Sequence, residues 1–238
     1  MNDPRPSFVL LHGLLCDADT WSDFIGPLSR VGNVMAVRLT GIDALPAAAE
    51  DILARTTGPL IVIGHSMGGR IALEMVRQAP ARCRALILMN TGYRGLAAGE
   101  ADKRLAQVQA AQSGGIQAIL DGWLDGMIAP ATRYDGALMN RMRTMVLRST
   151  PASFAGQIQA LIERPDATEL LGRIPCPTLF MSGTEDRWSP LDQHADMAAL
   201  TPDAALEAID GAGHMAPFEA PAACLAAITR WLQERALI

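Results

Sequence analysis

Residues 60–76 read LIVIGHSMGGRIALEMV. The four aliphatic residues predict a buried strand, the pattern after residue 67 predicts a helix, and Ser66 stands between the two. Gly64 and Gly68 flank the serine, as expected where a strand-to-helix turn is too tight for Cβ atoms. The stretch therefore predicts a strand, a sharp turn and a helix, with one hydroxyl group exposed at the turn.

Short apolar runs of this kind alternate with amphipathic segments along most of the chain. Near-continuous apolar strands separated by helices are typical of a mostly parallel sheet flanked by helices, which predicts the α/β class. The six predicted strands span residues 7–13, 34–39, 59–65, 84–90, 177–183 and 205–210. Helices are predicted between most of them, for example at 44–57, 67–79 and 190–200.

The alternation breaks once, in residues 92–174, which show helical periodicity and no convincing strand. Residues 1–91 and 175–238 are therefore predicted to form the core domain, with 92–174 as an inserted helical lid or cap. Additional helices packed beside the sheet are the alternative. The helices predicted in this segment span residues 98–112, 115–128, 136–148 and 151–163.

The composition excludes several classes of protein. With 238 residues, 50% of them hydrophobic, the chain is long enough for one or two compact units. A net charge of -5 provides no basic field for nucleic acid or anionic lipids, so neither is expected as a partner. The first residues lack the basic and long apolar regions of a signal peptide, which favours a cytoplasmic location. Four scattered cysteines predict no disulfide framework and no zinc site.

If Ser66 is a nucleophile, it needs a base to remove its proton. His65 adjoins the serine, so its side chain is expected to point away, and His12 ends the first strand. His194 lies inside a predicted helix, where an exposed or capping role is expected. His214 follows the last predicted strand in a Gly-rich loop, at the edge where parallel strands bring their carboxyl ends together. His214 is therefore the predicted base, and a structural loop histidine is the alternative.

The base needs an acceptor that fixes its tautomer and stabilises the imidazolium. Asp186 follows the penultimate predicted strand at the same edge, and Glu185 is the second candidate. A surface pair of carboxylates is the alternative interpretation. The predicted chain order is then Ser66, Asp186, His214, as in a nucleophile-elbow architecture. Ser66 acting only as a helix cap is the alternative there, although a cap does not require the flanking glycines.

Attack on a carbonyl creates an oxyanion, which fixed backbone N–H groups can stabilise. Met67, at the start of the predicted helix, is expected to supply one donor. Leu14 is expected to supply the second, because Gly13 permits a tight bend after the first strand. His12 and Gly13 ending a strand without further role is the alternative.

Four stretches together resemble the α/β-hydrolase superfamily: LLHGLLCDADTW, GHSMGG, SGTEDRWSP and GAGHMAPFEAP. The resemblance is to the lineage of small carboxylesterases that includes pimeloyl-carrier-protein methyl esterases, enol-lactonases and cofactor-free perhydrolases. It implies an α/β-hydrolase fold and no metal or organic cofactor. It also implies a triad of Ser66, Asp186 and His214, with Leu14 and Met67 as oxyanion donors.

The residues and the resemblance predict a serine hydrolase that cleaves a carboxylic ester, lactone or thioester of a small or medium acyl group through an acyl-enzyme on Ser66. A perhydrolase or carbon-carbon bond hydrolase with the same triad is one alternative. A ligand-binding protein on a hydrolase fold is another, because fold alone does not determine function. Cys16 lies close to these motifs, but no base is implied for it.

The predicted lid offers two further hypotheses. Its large apolar side chains are expected either to form a roof over the substrate or simply to pack in the core. These side chains are Trp123, Met127, Met139, Met142 and Met145. Its arginines are expected either to dock an acidic acyl-carrier protein or carboxylated substrate, or to form a solvated helix face, which composition favours. These arginines are Arg133, Arg141, Arg143 and Arg148.

Overall fold

The computed structural model describes residues 5–238. Its six strands all pair in parallel in one sheet, which confirms the predicted class. Each strand begins and ends within two residues of its predicted bounds. The strands are β1 (Ser7–Leu11), β2 (Asn33–Val37), β3 (Leu60–His65), β4 (Cys83–Met89), β5 (Thr178–Gly183) and β6 (Ala204–Ile209).

The strand order is β2-β1-β3-β4-β5-β6. The chain therefore moves outward from β1 to β2, returns to the other side of β1 at β3, and continues from there to β6. In an open parallel sheet, such a reversal leaves a crevice at the carboxyl ends of the two strands that flank it. The loop after β1 and the turn after β3 both open into this crevice.

Helices connect the strands and cover both faces of the sheet. The long ones outside residues 92–174 are α1 (Ser22–Ser29), α2 (Leu45–Ala54), α3 (Met67–Gln78), α9 (Leu191–Leu200) and α11 (Pro221–Glu234). Between β4 and β5 lie α4 (Glu100–Gly114), α5 (Gln117–Met127), α6 (Gly136–Leu147), α7 (Pro151–Ile162) and the short α8 (Thr168–Leu171). A further short helix, α10 (Ala216–Glu219), follows β6.

The two faces of the sheet belong to two separate apolar clusters, because successive side chains of a strand point to opposite faces. In β1, Phe8 and Leu10 pack with α1 and α11, whereas Val9 and Leu11 pack with α2 and α3. Buried residues of α4 to α7 join the second cluster. The inserted helices thus share their core with one face of the sheet. That residues 92–174 form a separate lid stays a prediction.

None of the helices in residues 5–238 combines the length and the apolar character that crossing a bilayer requires.

Candidate active site

Ser66 occupies the turn between β3 and α3 in a conformation that few residues adopt, with φ 54° and ψ -116°. The residues two positions before and two positions after it must be glycines. A Cβ on Gly64 would lie 2.6 Å from the carbonyl oxygen of Gly68, and one on Gly68 would lie 2.1 Å from that of Leu11. The Ser66 side chain makes no capping hydrogen bond to α3, so the turn presents the hydroxyl rather than using it as a cap.

Three side chains from separate loops form one hydrogen-bonded chain. Ser66 Oγ lies 2.9 Å from His214 Nε2, and His214 Nδ1 lies 2.9 Å from Asp186 Oδ2. Because the carboxylate accepts the hydrogen bond from Nδ1–H, the proton of the neutral ring stays on Nδ1, and Nε2 is left with its lone pair directed at the serine hydroxyl. The structure therefore brings together the three side chains expected from the sequence, in an arrangement suited to proton transfer from Ser66.

Asp186 is buried and held on both oxygens. Its Oδ1 accepts the backbone N–H groups of Trp188 at 2.8 Å and Ser189 at 2.9 Å, and its Oδ2 also accepts Asn90 Nδ2 at 2.9 Å. Burial opposes ionisation, but His214 and these hydrogen bonds hold the pKa of the carboxyl below its usual value. The second candidate of the sequence, Glu185, has an exposed side chain and takes no part in this chain of hydrogen bonds.

Asn90 is a component of the site that sequence reasoning missed. It directly follows β4 with a φ of 49°, in the left-handed region, and its amide bridges Asp186 and the carbonyl oxygen of Gly213 at 3.2 Å. It therefore links the loop of the acid to the loop of His214. Its position after a central strand, at the same edge as Ser66, was the available signal.

His65 is buried beside His214 and makes a hydrogen bond to the backbone of that residue. Its Nε2 donates to the carbonyl oxygen of His214 at 2.8 Å, so the ring is turned away from Ser66 Oγ as expected. Burial and the nearby imidazole of His214 lower the pKa of His65 to about 3. His65 is therefore neutral at physiological pH and serves to position the loop.

The other two histidines are also buried, neutral supports of loops. Nε2 of His12 accepts the N–H of Leu39 at 3.2 Å, and Nε2 of His194 accepts the N–H of Thr91 at 3.1 Å. Burial lowers the pKa of both rings. The expectation of an exposed or capping role for His194 was wrong, because its ring points from α9 into the protein and is fully buried.

The two expected oxyanion donors lie on either side of Ser66. Leu14 and Met67 both line the cavity that contains the serine, and neither amide nitrogen is hydrogen-bonded within residues 5–238. The loop of Leu14 comes so close that a Cβ on Gly13 would lie 3.2 Å from Ser66 Cβ. Both N–H groups are therefore available to an oxygen bound next to Ser66.

Gln157 in α7 fastens this loop and was also missed. Its Oε1 accepts the N–H of Leu15 at 3.1 Å, and its Nε2 donates to the carbonyl oxygen of Leu39 at 3.0 Å. Leu15 has a φ of 60°, so the loop adopts a backbone conformation that needs outside support. One buried amide of the inserted helices thus fixes the segment that carries Leu14.

A cavity with about 50 Å³ of enclosed space opens over Ser66. Of the apolar side chains proposed as its roof, Trp123 and Met127 line it, together with Leu161. The other three lie elsewhere. Met142 and Met145 are buried in the core, Met145 also borders a neighbouring cavity, and Met139 packs partly exposed against the core. The stripe on α6 therefore faces the core, which was the alternative interpretation of the sequence.

Cys16 lines the same cavity, but its chemistry is that of a buried thiol. Burial raises the pKa of Cys16 to about 12, so the thiolate is absent at neutral pH. No His, Cys, Asp or Glu cluster of a size that could hold a metal ion occurs in residues 5–238.

The arginines of the inserted helices are engaged with acidic neighbours. Arg141 pairs with Asp23, Arg143 with Asp121, and Arg148 with Asp17 and Asp19. Arg133 donates to the carbonyl oxygen of Asp125 at 3.0 Å. Except for Arg133, their charges are matched locally, and none of the four lines the cavity over Ser66.

The comparisons with known proteins agree with this fold. A model of the alpha/beta hydrolase family matches residues 8–227, nearly the whole chain. The chain belongs to the alpha/beta hydrolase family. Within the family it lies in the lineage of small esterases, and it is a hydrolase that acts on ester bonds.

Three similar proteins illustrate the lineage. The pimeloyl-[acyl-carrier protein] methyl ester esterase of Chromobacterium violaceum is 30% identical over 90% of this chain and 88% of its own length. The biotin biosynthesis bifunctional protein BioHC of Cellvibrio japonicus is 23% identical over 94% of this chain, which spans only 47% of that protein. The structure of a thermophilic esterase from Thermogutta terrifontis matches with a TM-score of 0.90 and 26% identity, covering 97% of this chain and 90% of that one.

Proposed function

We propose that the protein is a serine carboxylesterase that cleaves esters of small or medium acyl groups through an acyl-enzyme on Ser66. The observation that carries this proposal is the chain of two 2.9 Å hydrogen bonds from Ser66 through His214 to Asp186. The strained turn that exposes the hydroxyl and the free amides of Leu14 and Met67 support it. The identity of the substrate is also part of the proposal.

Acylation begins when His214 Nε2 takes the proton of Ser66 as Oγ attacks the ester carbonyl. The carbonyl oxygen becomes an oxyanion, which the N–H groups of Leu14 and Met67 stabilise. Asp186 stays ionised and stabilises the imidazolium by accepting the hydrogen bond from its Nδ1–H. The imidazolium then gives its Nε2 proton to the leaving alcohol, and the acyl group stays on Ser66.

Deacylation repeats these steps with water in place of the serine. His214 removes a proton from a water molecule, which attacks the acyl carbonyl, and the same two N–H groups stabilise the second oxyanion. Collapse of this intermediate returns the proton to Ser66 Oγ and releases the acid. Every proton in the cycle moves through Nε2 of His214, so no step needs a metal ion or an organic cofactor.

The walls and the small enclosed space of the cavity support an acyl group of limited size. Trp123, Met127 and Leu161 provide apolar surface beside Ser66, around an enclosed space of about 50 Å³. An ester carried on an acyl-carrier protein, as named for the relative from C. violaceum, is the larger alternative. The paired charges of Arg141, Arg143 and Arg148 give less support to docking of an acidic carrier.

The test is labelling with a fluorophosphonate, followed by digestion and mass spectrometry, beside kinetics on p-nitrophenyl esters of increasing chain length. The adduct is expected on Ser66 alone, and Ser66→Ala is expected to lose at least about 10³-fold in kcat. Ser29→Ala, at an exposed position on α1, is the matched control and is expected to keep the wild-type rate. An adduct elsewhere, or equal rates for wild type and Ser66→Ala, would overturn the proposal. Tight ligand binding without turnover would instead favour a binding protein.

A further inference from the structure

Arg70 lies one helical turn beyond Ser66 and lines the same cavity. Its backbone N–H donates to the carbonyl oxygen of Ser66 at 3.4 Å, the first turn of α3, and residues four apart lie on the same side of a helix. Its side chain reaches the part of the cavity bordered by Thr91, Gly92 and Trp188. A Cβ on Gly92 would lie 2.7 Å from Nη2 of Arg70, so this glycine leaves the room that the guanidinium occupies.

The charge of Arg70 has no carboxylate partner. Nη1 donates to the carbonyl oxygen of Arg94 at 2.9 Å, which is a neutral acceptor. No Asp or Glu oxygen of residues 5–238 lies within 4.0 Å of its guanidinium nitrogens, in contrast to the arginines of α6. A guanidinium has five N–H donors in a planar fork, and among residues 5–238 only Nη1 of Arg70 has a hydrogen-bond acceptor.

The surroundings of Arg70 carry a surplus of positive charge. Arg104 and Arg164 share one carboxylate, that of Glu100, at 2.8 Å and 2.6 Å. The other nearby acid, Asp166, accepts the backbone N–H groups of Gly95 and Thr168, so the three guanidinium groups of this region face only two carboxylates. Burial and the charges of Arg164 and Arg104 lower the pKa of Arg70 to about 9, yet its guanidinium remains charged at neutral pH.

Arg104 extends the cationic end of the cavity. Its side chain is only 11% exposed, lines the cavity and lies with its guanidinium carbon 6.0 Å from the ring centroid of Trp188. The cavity therefore has oxyanion donors near Ser66, an apolar wall from α5 and α7, and a cationic end at Arg70 and Arg104. Arg70 is half-buried, so its unpaired charge is partly desolvated, and a bound anion with matching planar geometry offsets that cost.

We propose that the natural substrates are esters that carry a free carboxylate remote from the ester carbonyl, and that Arg70 binds this carboxylate while Arg104 adds to the attraction. The inference deepens the proposed function and rests on it, since Ser66 is taken to attack the ester. One unpaired guanidinium matches one negative charge, so a monoanionic carboxylate fits better than a phosphate dianion. The chemical class is that of half-esters of dicarboxylic acids and related acidic esters.

The experiment compares two series of substrates that differ only at the far end. Monoethyl esters of C4 to C8 dicarboxylic acids are matched with ethyl esters of monocarboxylic acids of the same chain length, for example monoethyl adipate with ethyl hexanoate. The quantity measured is the ratio of kcat/KM for the acidic ester to kcat/KM for the neutral one. We expect the wild-type ratio to be about ten at the best chain length.

Arg70→Gln is expected to lower this ratio at least about tenfold, and Arg70→Lys to recover part of it, because lysine keeps the charge but lacks the planar fork. The ratio does not depend on the fraction of folded enzyme, so a loss of stability in Arg70→Gln leaves the test intact. Arg94→Gln is the matched control. Its side chain is 67% exposed and paired with Asp196 outside the cavity, and its ratio is expected to equal that of wild type.

A wild-type ratio below one at every chain length, or an Arg70→Gln ratio within twofold of wild type, would overturn the inference. In either case, hydrolysis of neutral esters that is lost in Ser66→Ala would show that the proposed function stands without it. If Ser66→Ala hydrolyses both series as fast as wild type, the proposed function fails and the inference fails with it. Competitive inhibition of neutral-ester hydrolysis by adipate, weakened in Arg70→Gln, is the expected binding result.

Discussion

At the scale of single residues, the site depends on groups that hold Asp186 and His214 in place. Asn90 is the clearest case, because one amide contacts the acid and the loop of the base. Asn90→Gly is expected to lower kcat on p-nitrophenyl butyrate by about tenfold, since a hydrogen bond to a charged group contributes about 1.5–3 kcal/mol. Glycine tolerates the φ of 49°, so its fold should be retained.

Asn90→Ala separates the hydrogen bond from the backbone conformation. It loses the same amide but places alanine, which disfavours the left-handed region, at this position. Relative to Asn90→Gly, the added cost in stability is about 1–2 kcal/mol. Urea unfolding is expected to show this additional loss in Asn90→Ala and not in Asn90→Gly. Equal kcat for wild type and Asn90→Gly would show that the amide does not position Asp186.

A second prediction at this scale concerns Gly68, two residues after Ser66. Gly68→Ala is expected to destabilise the protein by about 3 kcal/mol or more, because the new Cβ would lie 2.1 Å from the carbonyl oxygen of Leu11. Gly122→Ala is the control in an exposed part of α5, where a Cβ meets nothing within 4 Å. It is expected to gain about 0.5–1 kcal/mol in unfolding free energy. Similar stabilities for the two variants would contradict the close approach of the turn to β1.

At the scale of elements, α7 controls the loop that carries Leu14. Gln157→Leu is expected to lower both kcat and stability, because it leaves the N–H of Leu15 and the carbonyl oxygen of Leu39 buried without partners. The expected destabilisation is about 2 kcal/mol or more. Gln159→Leu changes an exposed glutamine on the same helix and is the matched control. If the two variants behave alike in urea unfolding and kinetics, the buried amide does not fix the loop.

The elements themselves were largely predictable, whereas their contacts were not. Strands such as β3 and the helices α4 to α7 follow from apolar runs and helical periodicity, which are local properties. The helix α1 and the turn before it went unnoticed because Pro27 and several acidic residues obscure a short pattern of Trp21, Phe24 and Leu28. The periodicity of α6 shows that its methionines are buried, but cannot distinguish a core from a cavity wall.

In the candidate site too, local sequence patterns predicted some residues, whereas contacts between distant residues could not be predicted. Ser66 and His214 were predictable because a glycine pattern or a loop after a strand marks each of them. The roles of Asn90 and Gln157 were not, because their partners lie 96 and 142 residues away in the chain. The cationic end of the cavity was missed for a related reason. The arginines that the sequence pointed to lie in and around α6, where acidic neighbours match most of their charges. Nothing in the sequence indicated that Arg70 has no carboxylate partner.

At the scale of the whole molecule, three buried neutral histidines make stability depend on pH. Burial lowers the pKa of His12, His65 and His194, that of His65 from 6.5 to about 3. Below pH 6.5 the unfolded chain therefore binds protons that the folded protein does not, and stability falls as the pH decreases toward the folded pKa values. Each such histidine contributes a slope of up to about 1.4 kcal/mol per pH unit.

Urea unfolding at pH 7, 6, 5 and 4 measures this slope. Unfolding free energy is expected to rise with pH across the range, and His194→Gln is expected to reduce the slope, because burial lowers the pKa of His194 in the folded protein. His194 makes no hydrogen bond to Ser66, His214 or Asp186, and urea unfolding measures stability rather than turnover, so its effect on the pH dependence of stability is read independently of catalysis. A slope unchanged by His194→Gln would mean that this ring is protonated in the folded protein.

The hydrogen bonds that join the end of α5 to the loop of His214 have a consequence for redesign. Met215 N–H donates to the carbonyl oxygen of Met127 at 3.1 Å, while Glu219 accepts the N–H of Ala129 at 2.7 Å and that of Gly213 at 3.0 Å. The inserted segment and the loop of His214 are thus anchored to each other. A chimera that imports this segment from a relative must import matching anchor residues too, or the graft will alter the cavity wall and displace His214 together.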